Sequence, residues 1–128
     1  MRLLLLSPLL APLALAAAAA PAADRRAIPA ATPSGKPVRC IALSNIRETR
    51  VRNDRTIDFV MRGRQRVYRN VLPNSCPNLG FEQRFTYQTS LSQLCSVDII
   101  TVLYQSPQLT RGASCGLGEF QPVTLARR

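Results

Sequence analysis

The chain contains no histidine and no tryptophan, and Lys36 is its one lysine. Without histidine, Ser-His-Asp and Cys-His nucleophilic sites are excluded in their usual forms. The commonest protein ligand for zinc and copper is missing too. A single lysine, set in a stretch of Ala, Pro and small polar residues, offers no residue for Schiff-base chemistry. Carboxylates are scarce: Asp24, Glu48, Asp54, Asp58, Glu82, Asp98 and Glu119, against 17 cationic residues. No apolar repeat of 3.6 residues is sustained over a helix length, which leaves at most a turn near residues 44–47. No C-x₂₋₄-C pair exists, so the four cysteines do not have zinc-site spacing. The glycine-rich segment 112–118 (GASCGLG) lacks the Lys-Ser/Thr ending of a phosphate cradle, and no helix follows it. It reads as tight turns beside a cysteine. No catalytic residue, metal site or cofactor is expected.

What is present begins with the N-terminus. Met1-Arg2 is followed by a charge-free run, LLLLSPLLAPLALAAAAA, and then by Ala20-Pro21-Ala22, which fits an A-x-A cleavage site. Residues 1–22 read as a signal peptide. The competing reading is a retained anchor; Pro8, Pro12 and the high Ala content argue against a spanning helix. Cleavage would leave no transmembrane segment in the mature chain. Export to the periplasm or beyond places Cys40, Cys76, Cys95 and Cys115 in an oxidising compartment, where they read as two disulfides. Sequence alone leaves three pairings open.

Residues 23–37 read as a flexible leader, residues 38–124 as the folded domain, and residues 125–128 as a short tail. Within the domain the pattern favours strands. Residues 38–43 are β-compatible, and residues 49–52 alternate before the turn pair Asn53-Asp54. Residues 56–61 place Ile57, Phe59 and Met61 on one face and Asp58 on the other. Gly63 marks a hairpin turn, and residues 66–72 return as its partner strand, with the facing left ambiguous. Residues 73–78 force a loop. Residues 85–89 and 98–104 are further strands, the second a continuous apolar run suggesting burial on both sides. Residues 105–114 read as a loop. Residues 119–123 close the domain as a short strand in which Pro122 suits only an edge or an end. The expected fold is all-β: a small antiparallel, partly open barrel or sandwich of five to seven strands, stabilised by disulfides.

One feature has a functional slant. Residues 47–69 hold eight arginines against three carboxylates. Arg50 and Arg52 share the face opposite Val51, Arg62, Arg64 and Arg66 crowd the hairpin tip, and Arg69 follows on the return strand. These six residues are the candidate anion-binding set. The competing reading is a solvated edge protected from aggregation by its charges. The expected function is a non-catalytic envelope protein that binds an anionic envelope component or another envelope protein. Nucleic acid is disfavoured as partner, because the chain is expected to be exported and the basic face lacks interleaved aromatics apart from Tyr68. Two alternatives stand beside it: a small hydrolase using carboxylates such as Asp54 and Asp58, and a structural or inhibitor-like module. Asp54, in a turn beside Asn53, and Asp98, opening a strand, sit at expected structural positions.

Residues 51–59 (VRNDRTIDF), the return strand 68–72, Cys76-Pro77-Asn78-Leu79 and the closing segment 115–123 resemble an uncharacterised family of short exported proteobacterial proteins, a domain of unknown function. The resemblance covers about residues 38–124. It departs at residues 50–52, where many members carry an aromatic, and at Cys95, which is not general. It implies no activity, ligand or catalytic residue. It does imply a pairing: the cysteines matching Cys76 and Cys115 go together, leaving Cys40 with Cys95. The competing arrangement is Cys76–Cys95 with Cys40–Cys115.

Overall fold

The computed structural model describes residues 27–63, 66–89 and 91–126. The signal-peptide reading of residues 1–22, the first residues of the leader, Arg64 and the last two residues therefore lie outside the described residues. The described chain is built of antiparallel strands with one single-turn helix. In order these are β1 (Ala31–Pro33), β2 (Cys40–Ala42), a 3-10 turn (Leu43–Asn45), β3 (Ile46–Val51), β4 (Thr56–Met61), β5 (Val67–Val71), α1 (Leu79–Glu82), β6 (Phe85–Tyr87), β7 (Gln93–Cys95), β8 (Ile99–Tyr104), β9 (Thr110–Gly116) and β10 (Phe120–Leu125). They form a five-stranded sheet in the order β1-β10-β5-β4-β3, a two-stranded sheet β2-β7 and a three-stranded sheet β6-β8-β9. None closes on itself, so the all-β, disulfide-stapled, open architecture is as the sequence indicates. The strands number ten rather than five to seven, because several span only three residues.

β4 lies between β3 and β5 and is buried along its whole length. Its pleat sends Ile57, Phe59 and Met61 into the main core. Its opposite face carries Thr56, Asp58 and Val60, and Val60 packs there with Val67 and Val123 in a second, smaller cluster. β5 pairs with β4 in the register Phe59↔Tyr68 and Ile57↔Asn70. Tyr68, Asn70 and Leu72 therefore face the main core, and the ambiguity of this strand is resolved. In the main core, Phe59 meets Phe120 edge to face at 5.3 Å and Phe85 at 6.4 Å. Ile100 and Val102 of β8 close it from the three-stranded sheet, and Ile41 and Leu94 close it from the two-stranded one. Asn70, the one buried amide among the described residues, is not spare: its Nδ2 donates to the Gly118 carbonyl at 2.7 Å and its Oδ1 accepts from the Gly118 N–H at 2.8 Å. A Cβ on Gly118 would fall 2.3 Å from the Val71 carbonyl oxygen, so only glycine allows this approach.

The disulfides are Cys40–Cys95 and Cys76–Cys115. The first joins directly opposed residues of β2 and β7. Ser96 N–H donates to the Arg39 carbonyl next door, which makes 40/95 a non-hydrogen-bonded pair, the kind in which opposed side chains come closest. The second ties the loop after β5 to β9, with Cys76 fully buried in the main core.

Five expectations need correction. Residues 31–33 are not leader: they add β1 to the edge of the sheet in the register Ala31↔Leu125. Ser34 N–H then donates to the Pro122 carbonyl, and Gln121 Nε2 donates to the Gly35 carbonyl. The contact is made by backbone, so an Ala/Pro-rich composition gave no sign of it. At the other end β10 runs to Leu125, past the expected boundary at 124. Residues 110–116 form β9 where a loop was expected; Gly112 fits the strand because the Tyr104 ring takes up the space of its missing side chain. β8 is buried on one face only: Ile100 and Val102 are inside, while Ile99 is 56% exposed. Pro122 lies inside β10, which has a neighbour on each side. Its carbonyl accepts from Ser34, and its nitrogen faces the same way, where β1 has already ended at Pro33, so no ladder bond is lost. Among the described residues no helix is long and apolar enough to cross a membrane.

Candidate functional site

The six candidate arginines do not act as one set. Arg52 and Arg69 are engaged inward. Asp58, with no exposed surface, accepts from Arg52 Nε at 2.8 Å, from Arg69 Nε at 2.8 Å and from Arg69 Nη2 at 3.0 Å. Their positions follow from register: Asp58 opposes Arg50 on β3 and Arg69 on β5. Arg52 reaches it from the end of β3. These two guanidiniums neutralise a buried carboxylate and are corrected from ligand-binding to structural residues. Arg50 is exposed and paired with Glu48 at 2.6 Å. That hydrogen bond, with the charges of Arg50 and Arg47, holds the Glu48 carboxyl below its ordinary value of 4.5. Arg55, outside the candidate set, caps the carbonyls of Leu72 and Pro73.

Arg62 and Arg66 differ from all of these. Both are exposed, and neither has a carboxylate within 4 Å among the described residues. They flank the β4–β5 turn, whose Gly63 takes a positive φ of 89°. The Met61 N–H donates to the Arg66 carbonyl at 2.8 Å and closes the hairpin. The Arg62 N–H donates to the Asn45 carbonyl at 2.7 Å, which ties the 3-10 turn to the hairpin. Together these bonds gather Asn45, Met61, Arg62, Arg66 and Tyr68 around a cavity of about 310 Å³. A second cavity of about 310 Å³ opens on the other side of Arg66 and Tyr68, beneath residues 34–38. The two adjoin at Arg66 and Tyr68 and together form a mouth beside the start of β5.

Among the described residues no carboxylate lines either cavity. Two other concavities do contain one. The groove of Thr86, Tyr87, Thr101 and Arg111 holds Asp98, whose Oδ2 accepts from the Cys95 N–H. The hollow at Arg52 and Arg55 holds Asp54, whose Oδ1 accepts from the Gly80 N–H at 2.7 Å. Both carboxylates are engaged by backbone N–H groups. Asp54 and Glu119 lie at the far end of the five-stranded sheet, beyond Thr56 and Phe120. The hydrolase reading finds no support at its named residues. Asp58 is sealed by two arginines, and Asp54 is bonded to backbone. Among the described residues no cluster of three metal-ligating side chains occurs.

Sequence reasoning singled out Arg62 and Arg66 but missed Asn45 and Lys36, which reach the mouth from loops distant in the chain. Tyr68 carried a signal, as the aromatic between Arg66 and Arg69. Fold and site together define a disulfide-stapled, open antiparallel β domain with a cationic mouth. No protein-family model, curated protein or solved structure matches the chain.

Proposed function

We propose that this chain is an exported, non-catalytic binding protein of the cell envelope, periplasmic or secreted, that holds an anionic partner at Arg62 and Arg66. The observation that carries the reading is the mouth itself: Arg62, Arg66, Asn45 and Tyr68 line one concavity to which no carboxylate contributes among the described residues. Guanidinium forks suit phosphate and carboxylate groups, and low-dielectric walls strengthen their pull. Two disulfides suit an oxidising compartment, and residues 1–22 supply a route to it. The resemblance to short exported proteins belongs with this reading and adds no ligand.

The test measures binding to phosphatidylglycerol vesicles and to soluble polyphosphate at low and high ionic strength. Salt-sensitive binding by the parent protein is expected, with loss in the triple variant Arg62→Ser, Arg64→Ser, Arg66→Ser. A variant that binds as the parent does would remove the assignment. Retention in Arg50→Ser is expected, since Arg50 lies on β3 and is paired with Glu48.

A further inference from the structure

We infer that the mouth takes an amphipathic anion: a molecule with one phosphate group joined to a short apolar chain. The inference rests on the reading of Arg62 and Arg66 as an anion site and names the class of ligand that site would hold. The two cavities are unlike. The one at Arg62 is lined by Asn45, Arg66 and Tyr68, with Met61 as its one aliphatic wall. The other is walled by Val38 and Pro122, with Lys36 at its side, while the Val67 and Val123 side chains turn to the opposite sheet face and pack with Val60. Arg66 and Tyr68 belong to both. A polar, cationic chamber and an apolar one thus meet at a shared guanidinium and a shared phenol ring.

This arrangement is built by strand parity. Tyr68 and Pro122 are opposed across β5 and β10 on the face that residues 34–38 cover, whereas Val67 and Val123 are opposed on the other face. The loop at residues 34–38 then passes over Pro122, held by the Ser34 and Val38 backbone bonds to β10. Val38 is left 37% exposed on the wall of the apolar chamber. An inorganic anion would satisfy the arginines and leave that wall in contact with water. A neutral hydrocarbon would cover the wall and leave Arg62 and Arg66 without a counter-charge. A ligand with both parts satisfies both chambers. Each chamber is at the lower end of the range that small-molecule sites occupy, about 300–1,000 Å³, which fits a single short chain.

The test is calorimetric titration with three probes: octyl phosphate, inorganic phosphate and octyl glucoside, each below its micellar concentration. Octyl phosphate is expected to bind at least about tenfold tighter than either of the others, a difference that burial of a few methylenes supplies. Two variants separate the chambers, because Arg62 lines only the first and Val38 only the second. Arg62→Ser should weaken octyl phosphate and inorganic phosphate alike. Val38→Ser should weaken octyl phosphate about fivefold and leave inorganic phosphate unchanged. Val38 meets β10 through its backbone, so the fold should survive that change. Equal binding of the two phosphates, with Val38→Ser silent, overturns the amphiphile and leaves the anion site standing. Failure of both phosphates to bind overturns the anion site and the inference together.

Discussion

Asp58 carries its charge in a place with no exposed surface, between Arg52 and Arg69, whose side chains are 16% and 14% exposed. Burying a carboxylate is costly unless its lone pairs are satisfied, and three charge-assisted bonds satisfy these. Asp58→Asn keeps the shape and removes the charge. The amide can accept at only one end, and its NH₂ faces a guanidinium. Breaking a buried pair costs about 3–5 kcal/mol, and the partial exposure of both arginines puts the expected loss near the lower figure. The readout is a fall in the urea midpoint at unchanged slope. A midpoint within error of the parent would mean that Arg52 and Arg69 relax to water without loss. This residue also shows the limit of the sequence at the site. Alternation placed Asp58 on the face opposite Ile57 and Phe59, which is correct. It could not show that Arg69 would arrive beside it, because that depends on the register of a hairpin whose facing was ambiguous. Arg52 and Arg69 therefore looked as free as Arg62 and Arg66.

At the scale of elements the two disulfides invite comparison. Their loops have sequence separations of 55 and 39. Chain entropy gives about 4 kcal/mol for either loop, with only about 0.3 kcal/mol between them. Loop length therefore does not rank the two; burial does. Cys76 is fully buried within the main core and the half-buried Cys115 packs against it, whereas Cys40, half-buried, and Cys95, 9% exposed, belong to neither core cluster. The double variant Cys76→Ala, Cys115→Ala should lose the crosslink and core packing together. Cys40→Ala, Cys95→Ala should lose the crosslink with less packing, since neither residue joins a core cluster. Its melting temperature should fall less, and the Ile41 and Leu94 amides should exchange faster, since these residues pair beside it. Equal falls in melting temperature would show that packing around Cys76 contributes nothing. The elements that were legible in sequence are those whose own residues pay no penalty for context: β4, the Gly63 turn, and the inner face of β8. The elements that were not legible are borrowed from partners. β1 and β7 are three-residue strands defined by the strand they pair with, and β9 is a glycine-bearing strand made tolerable by Tyr104.

For the molecule as a whole, the net charge is +10 and its distribution is uneven. Arg62 and Arg66 stand at one end of the five-stranded sheet without a carboxylate among the described residues, while at the other end Asp54 and Glu119 accompany Arg52 and Arg55. A surplus of one sign destabilises the compact state by self-repulsion, and salt screens it over a Debye length of about 10 Å at 0.1 M. The attraction holding Asp58 lies within hydrogen-bond distance and inside the protein, so salt weakens it far less. Added NaCl should therefore raise the melting temperature, by a few degrees between about 10 mM and about 150 mM, since about 1 kcal/mol shifts a domain of this size by roughly 4 °C. Binding of an anion at the mouth should move the opposite way over the same range, because there the screened interaction is the attractive one. NaCl is the required salt: sulfate and phosphate would strengthen burial generally and compete for the arginines. The variant Arg62→Ser, Arg66→Ser lowers the surplus by two charges at the crowded end, so its melting temperature should start higher at low salt and rise less. A melting temperature that falls as NaCl is added would mean that attractive pairs outweigh the surplus. The cationic mouth would then be stabilised by its own surroundings and not held open against them.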